Sequence, residues 1–447
     1  GLLPHPVYSP SRILNSHANI TGKRLRIRSE SRIIRKIPSP RRSALKIRSI
    51  TLFDKLQLPV DPAQIRRLSR FAQTAQGAYS SAGYEVQTLR LATSILSNLT
   101  PSRNLRQVVD DVVSLEKVCQ DAGFGYISLG PVGASPVPNL PEILEAARSV
   151  FVTCHIAKPG TGVVDGEMVR FSAGVISEAA AIEGGFGNLR FAALANTPPG
   201  TPFFPAAYWV GEAPAFAVAT ESADLAVEAA QRGADAAAIH AYLRASVESH
   251  GQALQRIGFE LAARHGPRFL GTDFSLAPFP RPETSIGAAL ETMTGQPLGS
   301  PGTLAAAATL TDAVQTARFQ RTGFCGLMLP VLEDSVLARR AAEGYLNIGE
   351  LLQWSAVCGT GLDTVPVPGD VSQEALSRVL FDVASLAVRL NKPLTARLMP
   401  LPGKSAGDPV HFDFSFFADG GVLPLRSGDS TNALSETFDL SLASYHA

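Results

Sequence analysis

Three carboxylates stand where apolar segments meet Gly or Pro. Glu212 follows the aromatic-rich run Phe203-Phe204-Pro205-Ala206-Ala207-Tyr208-Trp209-Val210-Gly211, Asp273 lies in Thr272-Asp273-Phe274-Ser275-Leu276-Ala277-Pro278, and Asp363 ends Cys358-Gly359-Thr360-Gly361-Leu362-Asp363. A carboxylate at the end of a buried strand is costly unless it is paired, hydrogen-bonded or put to use. Three of them in one apolar chain point to a polar cavity inside an α/β body. Glu212 and Asp273 would be acid/base or substrate-orienting groups there, with Asp363 and Cys358 nearby. Carboxylate oxygens would also suit a divalent cation such as magnesium or calcium. The competing reading is structural, each acid capping a helix or bonding loop amides, as Glu333-Asp334 is expected to do at a helix start. Arg389 and Arg397 are the candidate charged partners.

Other residue types add weaker candidates. Cys358 at a Gly-rich turn near Asp363 has the setting of a nucleophile, and equally that of an inert buried thiol; Cys325 reads as core. His155 ends a β-type run and precedes Lys158-Pro159-Gly160, a loop of the kind that carries binding residues. His240, His250 and His265 share one predicted helix but lie turns apart, so they cannot share a metal. The segment Gly299-Ser300-Pro301-Gly302-Thr303 opens an Ala-rich helix, and the free amides of Gly299, Gly302 and Thr303 could seat an anion; a simply capped helix start is the alternative.

The familiar signatures are absent. Neither H-E-x-x-H nor G-x-S-x-G occurs, Gly403-Lys404-Ser405 lacks the first glycine of a phosphate loop, and Gly123-Phe124-Gly125 and Gly359-Thr360-Gly361 lack the third glycine of a dinucleotide fingerprint. Nicotinamide and ATP chemistry of the ordinary kind is therefore not expected. A net charge of +1 over 447 residues gives the body no reason to bind nucleic acid or an anionic membrane. No apolar run reaches the ~18 residues needed to cross a bilayer. Four scattered cysteines without a C-x-x-C pair suit a reducing compartment, and a cytoplasmic location is expected. Residues 1–45 read differently from the rest, being rich in Lys, Arg and Ser with the single acid Glu30. They are expected to be a basic, disordered extension, a transit peptide, or a stretch upstream of the true start.

These residues must be positioned by an alternation of short β-type runs and longer Ala- and Leu-rich periodic runs, the pattern of an α/β fold. The spacing predicts strands over 47–53, 85–91, 126–129, 150–155, 191–195, 216–219, 269–273, 324–330, 363–366 and 394–399. It predicts helices between them, including 62–83, 104–123, 238–265, 302–316, 331–343 and 373–390. One folded body over 46–447 is expected.

At the quoted motifs the chain resembles the DUF711 family, the UPF0210 proteins. The similar stretches are Ala195-Asn196 through Gly211-Glu212, Ile257-Gly258 through Pro278, Gly299–Thr303, Leu329–Asp334 and Cys358–Pro366, in family order, within a resemblance spanning roughly 46–425. Asn196, at the head of the first stretch, joins the candidate ligand-binding residues. The resemblance implies a ten-stranded α/β barrel of the pyruvate formate-lyase-like, glycyl-radical-enzyme type, made of two five-stranded halves. It does not imply the radical: Gly420-Gly421 lacks the loop that chemistry needs, and no adjacent cysteine pair exists. It also implies a small ACT-type regulatory partner. The reading that results is an enzyme binding a small polar or anionic metabolite in the barrel interior. The alternative is a non-catalytic metabolite sensor working with an ACT-domain protein, and either could assemble with copies of itself.

Overall fold

The computed structural model describes residues 45–96, 104–132, 139–426 and 438–445. Apart from Leu45, the basic segment 1–45 lies outside the described residues. Nine strands form one mixed sheet: β1 (Lys46–Phe53), β2 (Glu85–Ala92), β3 (Tyr126–Val132), β4 (Val150–Ala157), β5 (Phe191–Ala195), β6 (Ala215–Glu221), β7 (Arg268–Asp273), β8 (Gly361–Pro368) and β9 (Leu394–Leu401). Their order is β7-β6-β1-β2-β3-β4-β5-β9-β8. β1 to β5 run parallel to one another, β6 pairs parallel with β7 and β8 with β9, and the joints β1/β6 and β5/β9 are antiparallel.

Residue type explains the layering. Every residue of β4 and of β9 is buried, as in strands covered on both faces, where near-continuous apolar runs replace alternation. Helices supply one cover. The helix Gln373–Arg389 buries Leu376, Leu380, Val383, Ala384 and Ala387, one stripe at 3.6-residue spacing. Its starts and stops follow local chemistry elsewhere too: Asp61 accepts the amide of Ala63 at 2.8 Å ahead of helix Pro62–Ser81. Gly266 closes helix Ala236–His265 at φ 99°, a conformation that a side chain would strain.

Nine of the ten expected strands are present in the sheet. The tenth, 324–330, is not a regular strand. Isolated parallel bridges Thr272–Arg321 and Leu276–Leu327 tie its segment to the β7 side, and Pro330–Asp363 ties it to β8. It thus touches both edges of the sheet without a continuous ladder. The interruption has a local cause, since Gly323 has φ 70° and Cys325 φ 44°. Gly326 packs so closely on Gly359 that an added Cβ would lie 2.9 Å from its Cα.

The helix expected over 331–343 begins only at Ser335. Asp334 is its N-cap, accepting the amides of Val336 and Leu337 at 2.9 and 3.1 Å. The same carboxylate accepts the Ser285 hydroxyl at 2.6 Å and the amides of Ile286 and Gly287 at 2.6 and 3.3 Å, at the start of helix Ile286–Thr294. One buried acid therefore serves two helix termini. A single cap is worth ~1 kcal/mol, and buried amides left without an acceptor add to the loss. Asp334→Ala should lower unfolding free energy by roughly 3 kcal/mol in a denaturant titration; a loss near that of one cap would show that only one helix depends on it.

Candidate functional site

The concave side of the sheet is not filled with aliphatic side chains. β1 places Arg48 there, β2 Thr88 and Arg90, β3 Tyr126, β7 Asp273, β8 Asp363 and β9 Arg397, and with Glu333 they line a cavity of about 190 Å3. Arg48 and Arg90 alternate with buried Ile47, Leu89 and Leu91, so each strand turns an apolar face to the helices and a polar one inward.

The charges form a chain. Arg48 Nη2 donates to Glu333 Oε2 at 2.5 Å, and its Nη1 lies 3.7 Å from Glu221 Oε2. Glu333 Oε1 accepts from Arg397 Nη2 at 2.8 Å, and Arg397 Nε donates to Asp363 Oδ1 at 2.6 Å. Remaining donors go to the backbone: Arg48 Nη1 to the Pro278 carbonyl and Arg397 Nη1 to that of Leu189. Gln87 bonds Glu221 at 2.9 Å. Asp363 has one oxygen on Arg397, and among the described residues no hydrogen bond reaches its other oxygen. Burial pushes the Asp363 carboxyl above the usual range, against the pull of Arg397. Arg90 is the exception to the pairing. Its Nε donates to Thr88 Oγ1 at 3.0 Å, and its guanidinium lies over the rings of Phe204 and Tyr126 at 5.1 and 5.5 Å. Burial, followed by repulsion from Arg48, lowers it to about 9.

Aromatic residues close the cavity from two sides. The loop 197–211 inserts along the sheet, held by Ser128 Oγ to the Ala207 carbonyl at 2.6 Å, Trp209 N to the Thr93 carbonyl at 2.8 Å and Gly200 N to the Tyr208 carbonyl at 2.9 Å. That brings Phe203 and Phe204 to the cavity wall. From the C-terminal region Phe414 and Phe416 reach the same wall, with Arg48 over the Phe416 ring at 5.6 Å.

Of the residues expected to form a site, Asp273 and Asp363 share this cavity and the others do not. Asp273 is buried and fully engaged: Oδ1 accepts from Ser275 Oγ at 2.5 Å and Cys325 N at 3.0 Å, Oδ2 from Phe324 N at 3.1 Å. Burial raises its carboxyl against these bonds. It holds the turn at 322–325. Glu212 is on the surface, its side chain 82% exposed and paired with Lys55 at 3.0 Å. The chain has to fold back over Trp209, whose ring would lie 2.3 Å from a Cβ on Gly211, so the residue after that glycine is turned outward. Cys358 is buried beyond helix Ile348–Ser355, where its carbonyl and those of Ser355 and Ala356 accept the Lys392 ammonium.

The expected ligand-binding residues also lie off the cavity lining. Asn196, at φ 53°, accepts Gly160 N at 3.1 Å and donates to Asn391 at 3.3 Å. At Gly299–Thr303 the turn closes on itself, Gly299 N donating to Thr303 Oγ1 and Thr303 Oγ1 to the Ser300 carbonyl. Gly302 is the N-cap of the helix that follows. His155 is buried edge-on to Tyr208, with Nδ1 unpartnered, and burial together with Lys158 lowers it to about 4. Among the described residues no group of three or more His, Cys, Asp or Glu stands together to hold a metal ion, and Glu212 lies away from the cavity that Asp273 and Asp363 line. Among the same residues no helix is long and apolar enough to cross a membrane.

The site residues not anticipated are Arg48, Arg90, Glu221 and Glu333. A usable signal existed for two of them, a single charge in mid-strand flanked by aliphatic residues, as in Ile47-Arg48 and Leu89-Arg90-Leu91. The sequence places Glu333 beside Asp334 as a helix-start acid; only Asp334 caps the helix, and Glu333 lines the cavity.

Comparison with known proteins agrees with the geometry in extent. A family model described as Uncharacterised ACR (DUF711) matches residues 41–417. A UPF0210 protein of Pyrobaculum arsenaticum is 32% identical over 361 residues, covering 76% of this chain and 79% of that one. A UPF0210 protein of Lacticaseibacillus paracasei is 28% identical over 365 residues (75% and 78%) and one of Carboxydothermus hydrogenoformans 28% over 402 (82% and 88%).

Two measurements probe this geometry. Removing one partner of a buried pair strands the other charge at ~3–5 kcal/mol. Glu333→Gln, which deprives Arg48 and Arg397 of their shared carboxylate, should cost about that much in chemical denaturation, and a neutral effect would dissolve the network as described. His155 has a folded value of about 4 against an ordinary ~6.5. Its contribution is complete above ~6.5 and is lost as pH falls toward 4, ~3 kcal/mol at most. His155→Phe should flatten the stability profile in that window; an unchanged slope would count against a neutral buried imidazole.

Proposed function

The chain belongs to the DUF711 family, the UPF0210 proteins, and from that premise we propose that it is an enzyme acting on a small anionic metabolite in the cavity under the sheet. The observation that carries the reading is Asp363. Arg397 holds one of its oxygens at 2.6 Å, the other is left to the cavity, and burial raises the carboxyl. That combination is what a general acid or base needs: a fixed orientation, a free lone pair facing the ligand, and an affinity for protons shifted toward neutrality. Arg397 and Glu333 are positioning residues in this scheme. Asp273 keeps no free oxygen and takes no part in the chemistry.

For the fold, the proposal is that 321–330 serves as the tenth member of a closed barrel of two five-membered halves. Parallel bridges on both sides of the segment, and antiparallel joints at both ends of the β1–β5 run, support it. The cavity is then the barrel interior, which fits its mixture of buried charge and aromatic wall.

The test is a mixed-metabolite incubation with purified full-length protein, read by mass spectrometry, for wild type and Asp363→Asn. The expected result is one compound consumed by the wild type and spared by the variant, with turnover lower by roughly 10²-fold or more and unchanged far-UV dichroism. The wild-type pH–rate profile should carry a limb above the ordinary carboxylate value of ~3.9 that the variant lacks. A compound that copurifies with both proteins and is never converted would overturn catalysis. It would leave the same cavity to a non-catalytic sensor, for which an ACT-type regulatory partner is the proposal.

A further inference from the structure

Resting on the cavity reading, the placement of Arg90 narrows the chemistry of the ligand. Five arginines line the cavity. Arg48 and Arg397 are matched by Glu333 and Asp363. Arg190 is buried and spends its guanidinium on the Ala147 carbonyl, and the exposed Arg148 pairs with Glu183. Arg90 alone has neither carboxylate nor carbonyl within reach among the described residues. Only its Nε is bonded, to Thr88, and among the described residues no hydrogen bond uses the two terminal nitrogens of this cavity-lining side chain. Glu333 attracts it through space but does not bond it, and a partly desolvated cation without a hydrogen-bonded anion is costly. Two aromatic faces at 5.1 and 5.5 Å offset part of that cost. An arginine fixed beside two rings, with both terminal nitrogens free of protein hydrogen bonds and lining a cavity, can offer two parallel hydrogen bonds to a planar anion.

We propose that Arg90 is the anchor for the carboxylate of a substrate that is a monocarboxylic acid with an apolar or aromatic body. The rest of the cavity discriminates between anions. One open guanidinium faces a wall that already carries the carboxylates of Glu333 and Asp363. A dianion such as phosphate would be repelled by them more strongly than a monoanion. Phe151, Phe203, Phe204, Phe414 and Phe416 offer the remainder of the ligand ring faces rather than donors. Bidentate capture at Arg90 would leave the opposite end of the ligand in this apolar surround, within the space that Asp363 also borders.

The experiment is isothermal titration of the full-length protein with benzoate, phenylacetate and propionate, against benzamide and inorganic phosphate. It is run on wild type, Arg90→Gln, Arg90→Lys and the cavity-filling Ala219→Phe. At least one carboxylate should bind the wild type, with benzamide and phosphate at least tenfold weaker. Arg90→Gln should lose at least tenfold in carboxylate affinity while its thermal midpoint holds or rises, because a half-buried cation with no hydrogen-bonded anion has been removed; Arg90→Lys should fall between. A merely structural Arg90 would show the reverse, a lower midpoint with affinity intact, and would overturn the inference. Phosphate binding as well as benzoate would overturn the carboxylate class. Carboxylate binding retained in Arg90→Gln but abolished by Ala219→Phe would sink the anchor while leaving the cavity as the binding site. Binding retained in both, or absent from the wild type, would sink the cavity reading as well.

Discussion

The structure depends on a run of buried charges, Glu221–Arg48–Glu333–Arg397–Asp363, that takes the place of a hydrophobic core on the concave side of the sheet. Arg48 and Glu221 sit on β1 and β6, which meet at an antiparallel joint. Arg397 and Asp363 sit on the neighbouring strands β9 and β8, and Glu333 follows the segment that touches both sheet edges. Ion pairs of this kind add little net stability, because desolvation consumes most of the Coulomb gain. What they impose is geometry. Each charge must keep its partner, so the strands cannot slide, and the space between them cannot collapse into an aliphatic core.

Two aspartates at similar sequence positions show how surroundings assign roles. Asp273 ends β7 and spends both oxygens on Ser275 and on the amides of Phe324 and Cys325, which fastens a turn where Cys325 has φ 44°. Asp363 gives one oxygen to Arg397 and keeps the other for the cavity. Aromatic side chains from the loop 197–211 and from 414–416 wall off the same space. Excluding water there strengthens every electrostatic interaction inside it, the paired and the unpaired alike.

Much of the fold was legible because it rests on local rules. Period-2 and period-3.6 patterns located nine sheet strands and the long helices, and Asp61-Pro62 and Gly266 marked helix ends through chemistry confined to a few residues. The segment 324–330 has the composition of a strand, whereas left-handed backbone at Cys325 and the close packing of Gly326 on Gly359 break the ladder. The site was legible only in part. Asp273 and Asp363 were found as carboxylates at segment ends, but the same rule selected Glu212, which Trp209 and Gly211 turn into solvent.

The sequence by itself determined the α/β class, the family, and that some carboxylates would have to be paired or used, since propensity, motif order and the cost of burying charge are properties of short stretches. Tertiary structure alone decided which charges meet. Arg48 and Glu333 are 285 residues apart and Arg397 and Glu333 64, so no local pattern could join them. Whether a guanidinium is neutralised depends on the strands that surround it, and on that count Arg48 is matched and Arg90 is not.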